Sequence, residues 1–160
     1  MEKENQKFMR SVQLMRSFWN VQKNMMRFIQ KTATENGLSV PQYSILVAIA
    51  PHKEMTQKNL GEITFLPKST LSQAVDGLVK AGWLHRQQVE GNRREMQLSL
   101  SEEGETLLKT IHLQEGGIHQ VFQSAVETLT NRQYEGLLES HQQIATYLEA
   151  QAIEQGEDTK

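Results

Sequence analysis

The 160-residue chain has 38% hydrophobic and 22% charged residues and no cysteine, which excludes disulfides, thiolate metal sites and thiol nucleophiles and suits one compact cytoplasmic unit with its own hydrophobic core. No run approaches the roughly 18 uncharged residues of a membrane span, and Glu2, Lys3, Glu4, Lys7, Arg10 and Arg16 interrupt the first twenty, so neither secretion nor membrane insertion is expected. The net charge of −2 hides an asymmetry of +4 over residues 1–52, +3 over 53–94 and −9 over 95–160, which permits a phosphate-attracting surface beside an acidic final third.

From Phe8 to Thr34 apolar residues recur three and four apart, which predicts one long amphipathic helix ended by Asn36-Gly37. Ser39-Val40-Pro41-Gln42 has the spacing of a capping box and opens a short, mostly buried helix that Pro51 closes. Thr56 caps a third helix through Ile63, and a fourth runs from Pro67 to Ala81. On that fourth helix Leu71, Val75, Leu78 and Val79 share one side, while Lys68, Ser69, Ser72, Gln73, Asp76 and Lys80 lie largely on the other. Gly82 stops it. Residues 83–88 and 95–100 then read as two extended runs, joined by Val89 to Arg94 into a hairpin whose tip presents Arg93 and Arg94. Ser101 caps a further helix with acids at its positive end; Gly116-Gly117 predicts a kink or break before Ile118 to Leu129. Thr130 or Asn131 caps a last helix to about Ile153, with Leu137, Leu138, Ile144, Tyr147 and Leu148 facing inward, and residues 156–160 are expected to fray.

This order of elements, with Leu60-Gly61-Glu62-Ile63, Pro67 to Val75, Leu78 to Leu84, Asn92-Arg93-Arg94 and Leu98 to Gly104 as its local motifs, resembles the MarR family of bacterial regulators over nearly the whole chain. The resemblance implies a mainly α fold: a winged helix-turn-helix with a two-stranded β wing, flanked by long N- and C-terminal helices that intertwine into a homodimer. The division would be 1–36 as N-terminal dimerisation helix, 37–100 as DNA-binding domain, 101–155 as C-terminal dimerisation helices and 156–160 as tail. It further implies a transcriptional repressor on double-stranded DNA, released by a small lipophilic or aromatic effector bound near Trp19 and Tyr43. Three positions depart from the family pattern: Asn92 stands where aspartate is usual, Pro67 where a capping serine is common, and Gln73 where an arginine often sits.

A helix in the major groove reads base edges with short polar side chains near its N-terminus, and that end also offers free N–H groups to a phosphate. Lys68, Ser69, Thr70, Ser72 and Gln73 fit the description. Gln73 suits adenine; Lys68 suits a phosphate or guanine. Gly91, Asn92, Arg93 and Arg94 form a wing able to enter a minor groove. A dimer would set two such helices about 34–36 Å apart on a near-palindromic operator.

The stripe of Met15, Phe18, Trp19, Met25 and Met26 is most simply a dimer core, a small-molecule pocket being the sharper alternative. A metal-responsive regulator would draw on His112 and His119, with Glu115 between them and His141 beyond. No cofactor is expected, and the chain lacks a Gly-x-Ser-x-Gly elbow, a phosphate-cradling glycine loop and a His-Glu-x-x-His motif, so it is not read as an enzyme. The remaining rival is a winged-helix adaptor for protein partners without DNA binding.

Overall fold

The computed structural model describes residues 1–157. Its elements are α1 (Glu2–Glu35), α2 (Val40–Ile49), β1 (Met55–Thr56), α3 (Gln57–Thr64), α4 (Lys68–Lys80), β2 (Leu84–Val89), β3 (Asn92–Leu100), α5 (Glu102–Leu113), α6 (Ile118–Glu127) and α7 (Asn131–Glu157). Two compact units divide the chain, Met1–Gln120 and Val121–Lys160. Among the described residues no helix is long and apolar enough to cross a membrane.

The first unit is built around α2. This helix is apolar on every side, so it is stable only when other elements surround it. Its start is fixed by the expected capping box: Ser39 Oγ accepts from the Gln42 N–H at 3.2 Å, and the Gln42 side chain accepts from the Ser39 N–H at 2.9 Å. Ile45, Leu46 and Ile49 pack with Leu60 of α3, Leu71, Val75 and Leu78 of α4, Leu84 of β2, Leu98 of β3 and Ile111 of α5, each at most 5% exposed. The C-terminal part of α1 joins this core through Ala33, with Met25, Phe28 and Ile29 packed against it. Towards the N-terminus the same helix leaves Phe8, Met15 and Trp19 half exposed or more.

Helices α3 and α4, a turn apart, and the hairpin that follows make a winged helix-turn-helix. The sheet has three antiparallel strands in the order β1-β3-β2, one more than the expected pair. Strand β1 is only two residues long, Met55 pairing Leu98 and Thr56 pairing Gln97, too short to show any alternation in sequence. The hairpin turn is also tighter than expected. Glu90-Gly91 alone joins β2 to β3, and Gly91 supplies the positive φ, +80°, that a two-residue loop requires. Arg93 and Arg94 therefore lie within β3, just past the turn, and not at a loop tip.

Helix α5 begins where Ser101 Oγ accepts from the Gly104 N–H at 3.0 Å and donates to the Gly82 carbonyl. A side chain at Gly104 would put its Cβ 2.2 Å from the Trp83 carbonyl oxygen, a backbone atom that cannot swing aside. Gly104→Ala is accordingly expected to destabilise the chain by about 2–3 kcal/mol in urea unfolding, through overpacking and backbone displacement. An unchanged midpoint would show that α5 does not dock this closely. Between Leu113 and Ile118 the helix is interrupted at Gly116-Gly117, as its glycines predict.

In the second unit Thr130 provides the cap of α7: its Oγ1 accepts from the Gln133 N–H at 3.1 Å, and its own N–H donates to the Gln133 side chain at 2.9 Å. The row expected to face inward does not. Leu137, Leu138, Tyr147 and Leu148 are 47–66% exposed, and Ile144 is half-buried. Apolar spacing marks which residues share a side of a helix and does not supply a partner to cover them. The helix also continues past Ile153 and takes in Gly156, the first residue of the expected frayed tail; positions 158–160 of that tail lie outside the described residues.

Candidate nucleic-acid interface

The N-terminus of α4 is shaped by Pro67. Proline takes the N-cap position in extended geometry (φ −54°, ψ 144°) and offers no side-chain hydrogen bond. The first intrahelical bond is that of the Leu71 N–H to the Pro67 carbonyl, at 2.9 Å. A capping serine would consume one first-turn donor; with proline the N–H groups of Lys68, Ser69 and Thr70 all stay open. The apolar side of the helix, Leu71, Ala74, Val75 and Leu78, is buried. Lys68, Ser69 and Gln73 are exposed, and Thr70 and Ser72 half-buried.

Asp76, exposed on the polar flank as expected, pairs with Arg86 of β2, linking α4 to the hairpin. Both side chains are substantially exposed, so the pair orients more than it stabilises. Among the described residues the other ion pair is Lys31–Glu35. The ammonium of Lys68 and the guanidinium groups of Arg93 and Arg94 thus have no carboxylate partner among the described residues.

In the wing, pairing runs in one register from Leu84↔Leu100 to Gln88↔Met96, then shifts to Val89↔Asn92. Arg93, Arg94 and Glu95 occupy this irregular stretch, where an interrupted ladder turns side chains away from their ordinary alternation. Three hydrogen bonds brace it. The Gln88 side chain donates to the Arg93 carbonyl at 3.0 Å, the Arg94 N–H donates to Asn92 Oδ1 at 3.0 Å, and Asn92 Nδ2 reaches Glu95 at 3.4 Å. Asn92 thus holds the wing through bonds to the Arg94 backbone and the Glu95 carboxylate, leaving both arginine residues exposed and without an ion-pair partner among the described residues.

A groove of about 500 Å³ runs between α3, the start of α4 and β3, and brings Lys58, Glu62, Lys68, Ser72 and Arg94 to one surface. It unites residues of α4 and the wing that the sequence placed separately. Lys58 and Glu62 were not among the expected residues; a lysine in the first turn after a Thr56 cap was the one available signal.

Trp19 stands 57% exposed on α1, outside the core cluster that holds Tyr43. The Tyr43 hydroxyl instead lies 3.0 Å from His119 Nε2, and the His119 ring meets that of His112 edge-on at 4.3 Å between centroids. The break at Gly116-Gly117 does not separate the two histidines; it folds them together. Among the described residues no group of three or more His, Cys, Asp or Glu could hold a metal ion.

Burial, and then the charge His112 would carry, holds the His119 pKa below its ordinary 6.5, while burial raises that of Tyr43. Folding therefore favours neutral His119, whose Nε2 shares a hydrogen bond with the Tyr43 hydroxyl. The unfolded chain takes up the proton more readily, so stability falls as pH drops below about 6.5 and levels off below the folded-state pKa. The melting temperature should be lower at pH 5.5 than at pH 7.5, and His119→Gln should remove part of that difference. Equal pH profiles for the two proteins would deny the cluster this role.

Comparison with known proteins fits this architecture. The MarR family model matches residues 36–95. The HTH-type transcriptional regulator SarZ of Staphylococcus epidermidis is 31% identical over 97 residues, a stretch covering 61% of this chain and 66% of that relative. A mutant MarR from E. coli complexed with operator DNA superposes with a TM-score of 0.67 at 19% identity, over 82% of this chain and 92% of that one. NadR in complex with 4-hydroxyphenylacetate gives a TM-score of 0.70 at 19% identity, over 81% and 89%. With the matched segment running from the end of α1 through the bulged part of the wing, residues 36–95 carry a winged helix-turn-helix of the MarR family.

Proposed function

We propose that the chain is a DNA-binding transcriptional regulator that acts as a homodimer, with α4 in the major groove and the wing in the adjacent minor groove. The observation that carries this is the open, uncapped N-terminus of α4 sharing one groove with the unpaired Arg94. Free N–H groups, Lys68 and the wing arginines answer phosphates and the negative minor groove, while Gln73, Ser69, Thr70 and Ser72 have the chemistry to read base edges. SarZ is named a transcriptional regulator, and the E. coli MarR is held with operator DNA, which supports the same role here.

Dimerisation follows from exposed apolar surface. A 34-residue α1 spans about 50 Å, yet only Thr32 and Ala33 are buried within the chain. It bares Phe8, Met15 and Trp19, and α7 bares Leu137, Leu138, Tyr147 and Leu148. A monomer would keep these faces in water; a second copy removes them from it. The operator is then a near-palindrome with half-sites one helical turn apart, and occupancy of a promoter makes the protein a repressor. Release by a small aromatic or lipophilic effector near Tyr43 or Trp19 is supported by the complex of NadR with 4-hydroxyphenylacetate.

Footprinting on the promoter next to the protein's own coding region tests this reading. Two protected patches related by a two-fold axis and centred about 10 base pairs apart are expected. No protection, or a single asymmetric patch, would favour the adaptor.

A further inference from the structure

Phe65, in the turn between α3 and α4, joins three properties that do not suit a turn residue. It closes α3, its N–H donating to the Gly61 carbonyl at 3.0 Å. It is the one non-glycine residue with positive φ among the described residues, at φ 54° and ψ 21°. Its side chain is 91% exposed. The left-handed region crowds the Cβ of any L-residue, so glycine or asparagine is what a turn of this shape ordinarily takes. A bulky aromatic there strains the backbone and also leaves its whole ring in water. Neither cost is repaid within the free chain, and strain of this kind collects where a bound state uses it.

The position says what the ring meets. Only Leu66 and Pro67 separate Phe65 from Lys68, the first residue of α4. Leu66 is half-buried while Pro67, Lys68 and Ser69 are exposed, so Phe65 sits in a solvent-facing turn that leads directly into the uncapped helix end with its open N–H groups and the Lys68 ammonium. An apolar protein surface would have to bury those unpaired polar groups; a DNA groove satisfies them. Among the base edges of the major groove, the apolar feature is the 5-methyl group of thymine, which pairs with an aromatic ring. We infer that Phe65 is a specificity residue, its ring packing on a thymine methyl at the edge of the site read by α4, an inference that rests on the regulator reading above.

Operator duplexes in which one thymidine at a time is replaced by deoxyuridine, which removes the methyl alone, test it by fluorescence anisotropy on the full chain. The wild type should lose roughly fivefold in affinity at one position per half-site. Phe65→Gly and Phe65→Asn, both at ease in the left-handed region, should bind the natural operator less tightly by the same factor and ignore that substitution. Their melting temperatures should be no lower than that of the wild type, which separates a lost contact from a damaged fold. The inference is overturned if both variants bind the natural operator as tightly as the wild type, or if deoxyuridine costs all three proteins equally. Failure of the wild type itself to bind any duplex would overturn it together with the regulator reading, and is recognisable because no variant is involved.

Discussion

Replacing Arg93 and Arg94 together by alanine is expected to weaken binding to every duplex, matched or random, by on the order of 100-fold at moderate salt. The reason is charge count. Each protomer loses two unpaired guanidinium groups held on a braced strand, so a dimer loses four cations near phosphates. Each cation displaces close to one counterion, and the slope of log K against log salt should flatten by about 3 to 4. Because such contacts carry no sequence information, the ratio of operator to random affinity should barely move. Gln73→Ala should behave the opposite way. Its exposed amide on the polar flank of α4 can discriminate a base but carries no charge, so the salt slope stays and the operator preference shrinks by about 1–3 kcal/mol. Anisotropy titrations across a salt series separate the two. Matching losses of slope and preference in both variants would mean that wing and helix do not divide the work.

Met15→Glu or Leu148→Glu should break the proposed dimer. Both positions are half exposed or more in the single chain, so a carboxylate there costs an isolated protomer little. At a two-fold interface the same change is made twice, placing unpaired charges in an apolar seam at a cost of several kcal/mol. Sedimentation should find a folded monomer. Operator affinity should then fall by about 10²–10⁴, since two half-sites no longer act as one bivalent target. If either variant stays dimeric, its helix face is not the seam and the dimer is held elsewhere.

Much of the fold is readable from single residues because local chemistry decides it. The Ser39 box, the Thr56 and Ser101 caps and the Gly116-Gly117 interruption all sit where the sequence puts them, each relying on bonds made within four residues. What escaped depends on distant partners. Strand β1 exists only because Leu98 and Gln97 arrive beside Met55 and Thr56. The wing turn shortened to Glu90-Gly91 because the bulge absorbs residues that a longer loop would have held. The contact of His119 with Tyr43 and His112 needs the break between α5 and α6 to turn the chain back on itself, and residue spacing does not encode that turn. Apolar periodicity on α7 predicted an inward face that the chain leaves exposed, since period tells which residues share a side and nothing about what covers them.

For the candidate interface, the sequence supplied the residue types and the structure added their condition. Lys68, Ser69, Thr70, Ser72 and Gln73 were legible as a polar flank; that Pro67 leaves three donors open, and that Arg93 and Arg94 lack carboxylate partners among the described residues, depends on the folded arrangement. Phe65 gave no sequence signal, because its interest lies in a backbone angle.

The most direct measurement is affinity of the purified protein for a random-sequence duplex as a function of salt. Tight binding at 50 mM salt that falls by a factor of about 10³–10⁵ by 200 mM is what this surface predicts, since six to ten phosphate contacts per dimer release that many counterions. A chain that ignores the duplex at 50 mM, or binds it with no dependence on salt, would contradict the proposal that α4 and the wing grip DNA.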